Sequence, residues 1–264
     1  MFRHFATRQR KYSSKQIGGF AIVTGIVVIA NLDRAPYSNR VRLILIPQIM
    51  EQQLADAAYK ETYANTNTSR QTWIHSKVSG ITQKIIMKNK CLKDLQRNWK
   101  VHIVNDSSFN AFVLPNGSIF VHTGVFKVID NDSELAAILA HELAHVVARH
   151  SAESMSFQYV VNGIAILLGF NGFSFLLENK YSQTLEYEAD LIGLHLMSKA
   201  CYDPSYAANI WEKMQKLSKD TSFNFLSTHP THSNRLQYII ENLPKLGDWE
   251  KDCSTSYGFF NSLK

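Results

Sequence analysis

Several features that mark common classes of protein are missing from this sequence. The three cysteines, Cys91, Cys201 and Cys253, form no C-x-x-C pair, which argues against a structural zinc site built from thiolates. No glycine-rich nucleotide-binding loop, internal repeat or low-complexity tract is present. The net charge is +6, yet no basic stripe with interleaved aromatic residues occurs, which argues against nucleic-acid binding. The length of 264 residues predicts one domain with appended segments.

Acidic residues are absent from the beginning of the chain, where the first carboxylate is Asp33. Residues 1–15 contain five Lys or Arg and two serines, which is typical of a mitochondrial presequence and equally of the cytoplasmic flank of a bacterial membrane anchor. Residues 16–32 are uncharged and just long enough for one membrane span. A signal-peptide core and a buried helix are the alternatives, but no small-x-small cleavage site follows. We expect an uncleaved span, with the amino terminus on the inner side and the domain across the membrane.

Residues 141–145 read His-Glu-Leu-Ala-His, within a helical pattern over residues 133–150. In a helix, positions i and i+4 lie on the same face, so His141 and His145 can offer imidazole nitrogens to one metal ion. Glu142 lies beside that face, where its carboxylate can reach a water on the metal and act as general base and acid. The motif predicts a catalytic zinc site.

A catalytic zinc ion needs a third protein ligand and one open position. One subclass of this motif takes a histidine further along, but Ala148 and Ser151 occupy the required places here. His150 is one residue short, and we expect it at the surface at the helix end. The other subclass takes a glutamate from a later helix, and residues 185–190, Leu-Glu-Tyr-Glu-Ala-Asp, supply Glu186.

Asp190 comes four residues after Glu186 and therefore shares its helix face. We expect Asp190 to accept a hydrogen bond from the ring N–H of a ligand histidine. Glu188 points away from both. The alternative interpretation, an ordinary charged helix face, is disfavoured by the histidine motif upstream.

The two motifs together resemble metallopeptidase family forty-eight, which includes the CaaX prenyl endopeptidases and the bacterial heat-shock peptidase HtpX. Three further segments are similar to its mitochondrial inner-membrane, OMA-type branch: residues 110–117 (Asn-Ala-Phe-Val-Leu-Pro-Asn-Gly), 227–230 (Ser-Thr-His-Pro) and 233–235 (Ser-Asn-Arg). The similarity extends from about residue 34 to 246. It implies an endopeptidase with one Zn²⁺ per chain that cleaves inner-membrane proteins, responds to membrane stress, cleaves itself and forms homo-oligomers.

The resemblance also implies roles near the carboxyl terminus. In the family, a histidine and an arginine six residues later lie over the active-site cleft, and His229 and Arg235 have that spacing. Both could donate to the oxyanion that forms on the scissile carbonyl. For His229, a polar loop histidine beside a proline is the alternative. The intermembrane space permits disulfides, so a Cys201–Cys253 bond is an alternative to three reduced thiols.

The segment before the motif helix predicts a β-hairpin, because Asn116-Gly117 is a strong turn signal between residues 110–114 and 118–123. In the resembling family, the strand just before the metal helix forms the sheet edge beside the zinc. Extended substrates would add to that edge through backbone hydrogen bonds. The predicted substrate-edge residues are Asn110, Ala111, Ser118, Phe120 and His122. A purely structural hairpin is the alternative.

The remaining pattern predicts strands over residues 41–46 and 99–104 and helices over residues 48–63 and 70–88, with Asp132 as the N-cap of the motif helix. Residues 154–177 carry no charge. Since His145 and Glu186 must meet at one ion, both ends of this run lie on one side of a membrane, and a simple span is excluded. We expect a broken, membrane-facing hairpin, with a buried core helix as the alternative.

Residues and resemblance together predict an α+β, mainly helical protein. A zincin-like (gluzincin) metallopeptidase domain with a small sheet covers residues 33–264, after a basic segment over 1–15 and an anchor over 16–32. The predicted function is ATP-independent, zinc-dependent endopeptidase activity in quality control at the mitochondrial inner membrane, with the catalytic domain in the intermembrane space. Expected partners are protein substrates, the bilayer and further copies of the chain. A CaaX-type or HtpX-type peptidase of another membrane and a non-catalytic, zinc-stabilised scaffold are the alternatives.

Overall fold

Helices make up most of the described chain, and the strands between them are short. The computed structural model describes residues 22, 25–69, 71–168, 174–217, 229, 234–250 and 253, with the backbone alone over 164–168 and 174–180. The helices are α1 (Gln48–Ala64), α2 (Thr72–Lys88), α3 (Lys90–Asp94), α4 (Asp132–Val147), α5 (His150–Leu168), α6 (Ser174–Lys199), α7 (Tyr206–Leu217) and α8 (Arg235–Asn242). The strands are β1 (Leu32–Arg34), β2 (Val41–Leu43), β3 (Lys100–Val104), β4 (Ala111–Val113) and β5 (Ser118–His122). The prediction of a mainly helical protein with a small sheet is confirmed.

Strand β2 is shorter than the predicted strand over residues 41–46. It pairs antiparallel with β1, from Leu32 opposite Leu43 to Arg34 opposite Val41. Beyond the strand, Ile44 and Ile46 are buried against Ala152 of α5 in a small apolar cluster of their own. The apolar run therefore continues past the strand because those two side chains pack on a helix.

The main sheet has the strand order β3-β5-β4, with β5 parallel to β3 and antiparallel to β4. The prediction that residues 118–122 form the edge beside the metal is wrong, because β5 is paired on both sides. Ser118 and Phe120 are buried, and the Nδ1 atom of His122 lies 2.9 Å from the Ser108 hydroxyl. Within the described residues, the outer side of β4 has no partner strand, so the edge belongs to Ala111–Val113, with Asn110 just before it.

Helix α4 carries the histidine motif and lies at the centre of the domain, in contact with α2, α6, α7 and β4. Buried side chains of α4, most of them leucine, isoleucine and alanine, lie on every side of the helix, as expected for a helix in the core. Asn131, not Asp132, is the N-cap: its side chain accepts a hydrogen bond from the backbone N–H of Glu134. Asp132 is the first helical residue, where its negative charge interacts favourably with the positive end of the helix dipole.

The predicted helix over residues 133–150 is two helices. The backbone of Arg149 has a φ of 54°, in the left-handed region, so α4 stops at Val147 and α5 begins at His150. Farther on, α6 runs closely beside α4. A Cβ atom at Gly193 would lie 3.3 Å from the backbone nitrogen of His141, tighter than most such contacts. The absence of a side chain at Gly193 therefore lets the two helices approach each other closely.

The predicted break in the uncharged run over residues 154–177 lies outside the described residues, which include α5 up to Leu168 and α6 from Ser174. The rings of Phe157 and Tyr181 stack at 4.0 Å between the two helices. Contact of this hairpin with a bilayer stays a prediction. Of the predicted anchor, residues 25–30 are helical and most of the rest lies outside the described residues. No helix in the described part of the chain is long and apolar enough to cross a membrane.

Cys201 and Cys253 are joined by a disulfide, with a Cα–Cα distance of 5.6 Å, while Cys91 remains a thiol. This is the bonded alternative that the sequence left open. Cys201 follows the last turn of α6, so the bond ties the end of the chain to the helix that carries Glu186.

Candidate metal centre

Four side chains with metal-binding atoms meet above the middle of α4. His141 and His145 project from α4, Glu186 from α6, and His229 from the segment before α8. The Nε2 atoms of His141 and His145 are 3.2 Å apart, and Glu186 Oε2 lies 3.3 Å from the former. One donor atom from each of the four lies within 4.8 Å of all the others. The structure thus brings together the three residues expected to bind the metal and adds His229 beside them.

The donor set and its charge balance both fit a zinc ion. Two imidazole nitrogens and a carboxylate are the ligands of the glutamate-type catalytic zinc site. Glu142, Glu186 and Asp190 are buried carboxylates, and among the described residues Arg235 is the guanidinium that faces them. Three carboxylates and one guanidinium leave two formal negative charges in excess. A divalent cation would neutralise this excess, which is costly to bury otherwise.

Glu142 is buried beside the donor atoms and borders the cavity above them. Its Oε1 lies 3.3 Å from Nε2 of His229. Burial, which disfavours the charged form, raises the pKa of Glu142 above its usual range. A carboxylate with a raised pKa next to a metal is suited to take up a proton and release it again.

Asp190 lies behind His141, with its Oδ1 3.0 Å from Nδ1 of the ring. Arg235 donates to both oxygens of Asp190, from Nε at 2.8 Å and from Nη2 at 2.7 Å. Burial alone would raise the pKa of Asp190, but the charge and hydrogen bonds of Arg235 outweigh it and lower that pKa. Asp190 therefore stays ionised and can fix the orientation of the His141 ring.

The predicted contact between Arg235 and the reaction oxyanion does not fit this structure. The Arg235 side chain is fully buried, with its guanidinium 3.8 Å above the ring of Trp211. Its Nη1 forms an ion pair with Glu186 at 2.7 Å, and its other donors bind Asp190. Arg235 instead holds two carboxylates that face the metal-binding atoms. The spacing from His229 to Arg235 could not reveal this, since α8 turns the arginine inward beneath the histidine.

His150 is buried, so the prediction of a surface position is wrong. Its Nδ1 lies 2.8 Å from Nδ1 of His145, and its Nε2 lies 3.0 Å from Glu188 Oε2. The cause is the left-handed turn at Arg149, which directs the first residue of α5 back toward α4. No glycine or asparagine marks this turn, so the sequence offers no signal for it.

A cavity of about 460 Å³ opens onto the site. Glu142, His145, Glu186 and His229 form its base, and Val113 of the free edge strand forms part of its wall. The opposite wall comes from α5 and α6, through Ser151, Ser154, Phe157, Gln158 and Tyr181. A chain lying along β4 would therefore pass directly over the candidate ligands. The other residues of the segment 227–230, and Ser233 of the segment 233–235, lie outside the described residues.

Comparisons with known proteins point to a family of peptidases. The family described as "Peptidase family M48" matches residues 68–242. A relative from Saccharomyces cerevisiae, mitochondrial metalloendopeptidase OMA1, is 31% identical over 96% of this chain and 81% of its own length. Its namesake from Schizosaccharomyces pombe is 35% identical over 93% of this chain and 77% of its own. A bacterial relative, the beta-barrel assembly-enhancing protease of Yersinia pestis, is 32% identical over 51% of this chain and 32% of its own.

Proposed function

Because this chain belongs to peptidase family M48 and is a zinc metalloendopeptidase, we propose that His141, His145 and Glu186 hold its catalytic metal. The observation that carries this assignment is the convergence of their donor atoms in a buried pocket with an excess of negative charge. When bound there, zinc lowers the pKa of water and polarises a scissile carbonyl. Side chains of the protein carry the proton and stabilise the oxyanion.

Glu142 is the proton carrier in this proposal. It accepts a proton from the attacking water and passes it to the leaving amine, since its carboxylate borders both the cavity and the donor atoms. His229 is the candidate donor to the oxyanion. In the present geometry its Nδ1 lies 3.1 Å from Glu186 and 3.4 Å from His141 Nε2, where water has to enter. Arg235 contributes by positioning Glu186 and Asp190.

Substrate binding is proposed along the outer side of β4. The backbone N–H of His122 donates to Asn110 and that of Leu114 to Ser118, so residues 110, 112 and 114 use their backbone groups toward β5. In an antiparallel pair this orientation alternates, and the backbone groups of Ala111 and Val113 point away from β5. Those groups are available to an extended peptide, which suits an endopeptidase with little side-chain selectivity.

The wider assignment follows the mitochondrial relatives and the amino-terminal sequence. The proposed enzyme has a basic segment over residues 1–15, an anchor over 16–32 and a peptidase domain over 33–264, whose 154–177 hairpin faces the bilayer. It acts in the inner membrane, with the domain in the intermembrane space, as a homo-oligomer and without ATP. Support comes from the acid-free amino terminus, the exposed Ile26 and Ile29 of the helical stretch, and the lack of a nucleotide-binding loop.

The decisive experiment compares the wild-type chain with Glu142→Gln, both solubilised in detergent. Zinc content is measured together with cleavage of an unfolded reporter protein, with and without chelator. We expect one zinc per chain in both, and cleavage reduced by about 100–10,000-fold in the variant, since a general base contributes about that much. Glu241→Gln, on the exposed side of α8, is the matched control and should cleave like the wild type. A chain without zinc, or a Glu142→Gln variant that cleaves normally, would refute the proposal.

The substrate edge is tested with Val113→Pro. Proline removes an N–H that points away from β5, so the sheet keeps its hydrogen bonds and the fold is retained. We expect kcat/KM to fall by roughly tenfold or more, as for the loss of one or two backbone hydrogen bonds, with unchanged zinc content. Unaltered cleavage by a folded Val113→Pro variant would show that substrates bind elsewhere.

A further inference from the structure

A second buried polar cluster lies directly behind the metal centre. It consists of His150 and Glu153 from α5, Glu188 from α6, and Arg40 from the turn between β1 and β2; we call it the Arg40 cluster. The guanidinium of Arg40 donates to both oxygens of Glu153, at 2.6 and 3.0 Å, and to Glu188 at 2.8 Å. The hydroxyls of Ser38 and Tyr181 donate to the same two carboxylates. The amino-terminal hairpin is thereby attached to both helices that follow the histidine motif.

This cluster has the residue types of a metal site but not the charge of one. His150, Glu153 and Glu188 bring donor atoms within 4.8 Å of one another. Their two carboxylates, however, are already paired with two guanidiniums, because Arg42 also lies 3.5 Å from Glu153. A cation placed there would be repelled by both arginines. The cluster therefore has a different task from that of the metal centre.

The contacts form an uninterrupted line of hydrogen bonds that ends at a metal ligand. A histidine that binds metal through Nε2 carries its proton on Nδ1. His145 then donates from Nδ1 to Nδ1 of His150, over 2.8 Å. This leaves the proton of His150 on Nε2, from which it donates to Glu188 over 3.0 Å. Arg40 donates to the same Glu188 oxygen. Each group in the line has the donor or acceptor that its neighbour requires.

We propose that Arg40 is a positioning residue for the metal centre: it fixes Glu188, Glu188 fixes His150, and His150 orients the ring of His145. The inference rests on the proposed function, since it requires His145 to be a metal ligand. Arg40 lies outside residues 68–242, which carry the family match, and a few residues beyond the proposed anchor. The hairpin that leads into the domain thus contributes to metal binding, and a shift of this hairpin changes the metal affinity.

The test measures zinc affinity of the full chain in detergent by competition with a chromophoric chelator, and records the visible spectrum of the Co²⁺-substituted protein. For Arg40→Met we expect zinc affinity to fall by about 10–100-fold, the usual effect of losing an outer partner of a metal ligand, together with an altered Co²⁺ spectrum. Arg40→Lys keeps a positively charged donor, so it should recover part of the zinc affinity and part of the wild-type Co²⁺ spectrum. Neither readout depends on cleavage.

The matched control is Lys213→Met. The side chain of Lys213 is exposed to a similar extent as that of Arg40, 29% against 24%. It pairs with a buried carboxylate, Glu134, in the first turn of the helix α4 that also carries His141 and His145. The zinc affinity of Lys213→Met should lie within about twofold of that of the wild type, as is usual for changes away from special sites. A loss in Lys213→Met equal to that in Arg40→Met would show general destabilisation and overturn the inference.

The outcomes separate this inference from the proposed function. If the wild-type chain binds no zinc, the proposed function fails and this inference falls with it. If the wild type binds zinc and Arg40→Met matches it in affinity and spectrum, only the inference is refuted. Should Arg40→Met fail to fold, Glu188→Met removes the acceptor of the His150 Nε2–H one step nearer the metal. A wild-type spectrum in that variant refutes the inference equally.

Discussion

The metal centre and the Arg40 cluster are built from the same materials. Both are buried, and both combine histidine with glutamate. Each includes a glutamate of α6; the histidine motif of the metal centre lies on α4, before Arg149, and His150 and Glu153 of the Arg40 cluster lie on α5, after it. They even touch, through the contact between His145 and His150. They differ in charge: three carboxylates face one guanidinium at the metal centre, whereas two carboxylates face two guanidiniums in the Arg40 cluster.

This difference shows what makes a metal site. Ligand type and spacing alone would favour a metal in both clusters, because each offers at least three donors within reach of one ion. Only at the metal centre does the negative charge remain uncompensated, and only there does a divalent cation lower the cost of burial. In the Arg40 cluster the arginines already supply the positive charge. The following predictions test this contrast, beginning with the largest expected effect.

The first prediction compares Glu186→Gln with Glu188→Gln, two residues apart on α6. Glu186→Gln removes a charged ligand and should weaken zinc binding by at least about 1000-fold, beyond the roughly 10–100-fold typical of outer partners. Glu188→Gln should weaken it by about tenfold, because Glu188 acts only through His150. Chelator competition measures both. Equal losses in the two variants would remove the distinction between the clusters.

The second prediction concerns the arginines, in zinc-free protein. Arg235→Met leaves Glu186 and Asp190 buried with no guanidinium beside them, and should lower the free energy of unfolding by about 3–5 kcal/mol. Arg42→Met should cost less, about 1–3 kcal/mol, since Glu153 keeps Arg40 and the half-exposed Asp33 regains water. Urea unfolding measures both. Saturating zinc should stabilise Arg235→Met by more than it stabilises the wild type or Arg42→Met, which both keep the guanidinium at the metal centre. An equal gain in all three proteins would contradict the charge argument.

The smallest effect is expected from acid. Burial alone would raise the pKa of Glu188, but hydrogen bonds from His150, Arg40 and Ser38 prevail and lower it from 4.5 to about 2. The stability that Glu188 contributes is therefore complete above pH 4.5 and is lost as the pH falls toward about 2. Glu188→Gln should have a shallower dependence of unfolding free energy on pH between about 5 and 3. An identical slope in wild type and variant would show that the Arg40 cluster does not hold Glu188 ionised.

Much of the metal centre could be predicted from the sequence, because it depends on helix geometry alone. Two histidines one turn apart on a helix must share a face, and so must Glu186 and Asp190. The turn at Asn116-Gly117 is equally local. These predictions needed no knowledge of which element lies next to which.

What could not be predicted depends on contacts between distant segments. Strand β5 loses its place at the edge because β3, about twenty residues earlier, pairs parallel to it. His150 becomes buried because a non-glycine residue, Arg149, adopts a left-handed conformation. Arg40 reaches Glu153 and Glu188 across more than 100 positions of sequence. For β5 and for Arg40 the deciding partner lies far away in the chain, where periodicity carries no information. At Arg149 the turn is local, but no residue type marks it.

Gly193 gives the close approach of α4 and α6 a further meaning. All three proposed ligands come from these two helices, so the close packing that Gly193 allows contributes to the width of the coordination cage. The spacing of the two helices then limits the size of the ion that the ligands can bind. A slightly wider cage would favour a larger ion such as Cd²⁺ over Zn²⁺ with every ligand still in place. Metal preference in this fold can thus be altered at a residue that never touches the metal.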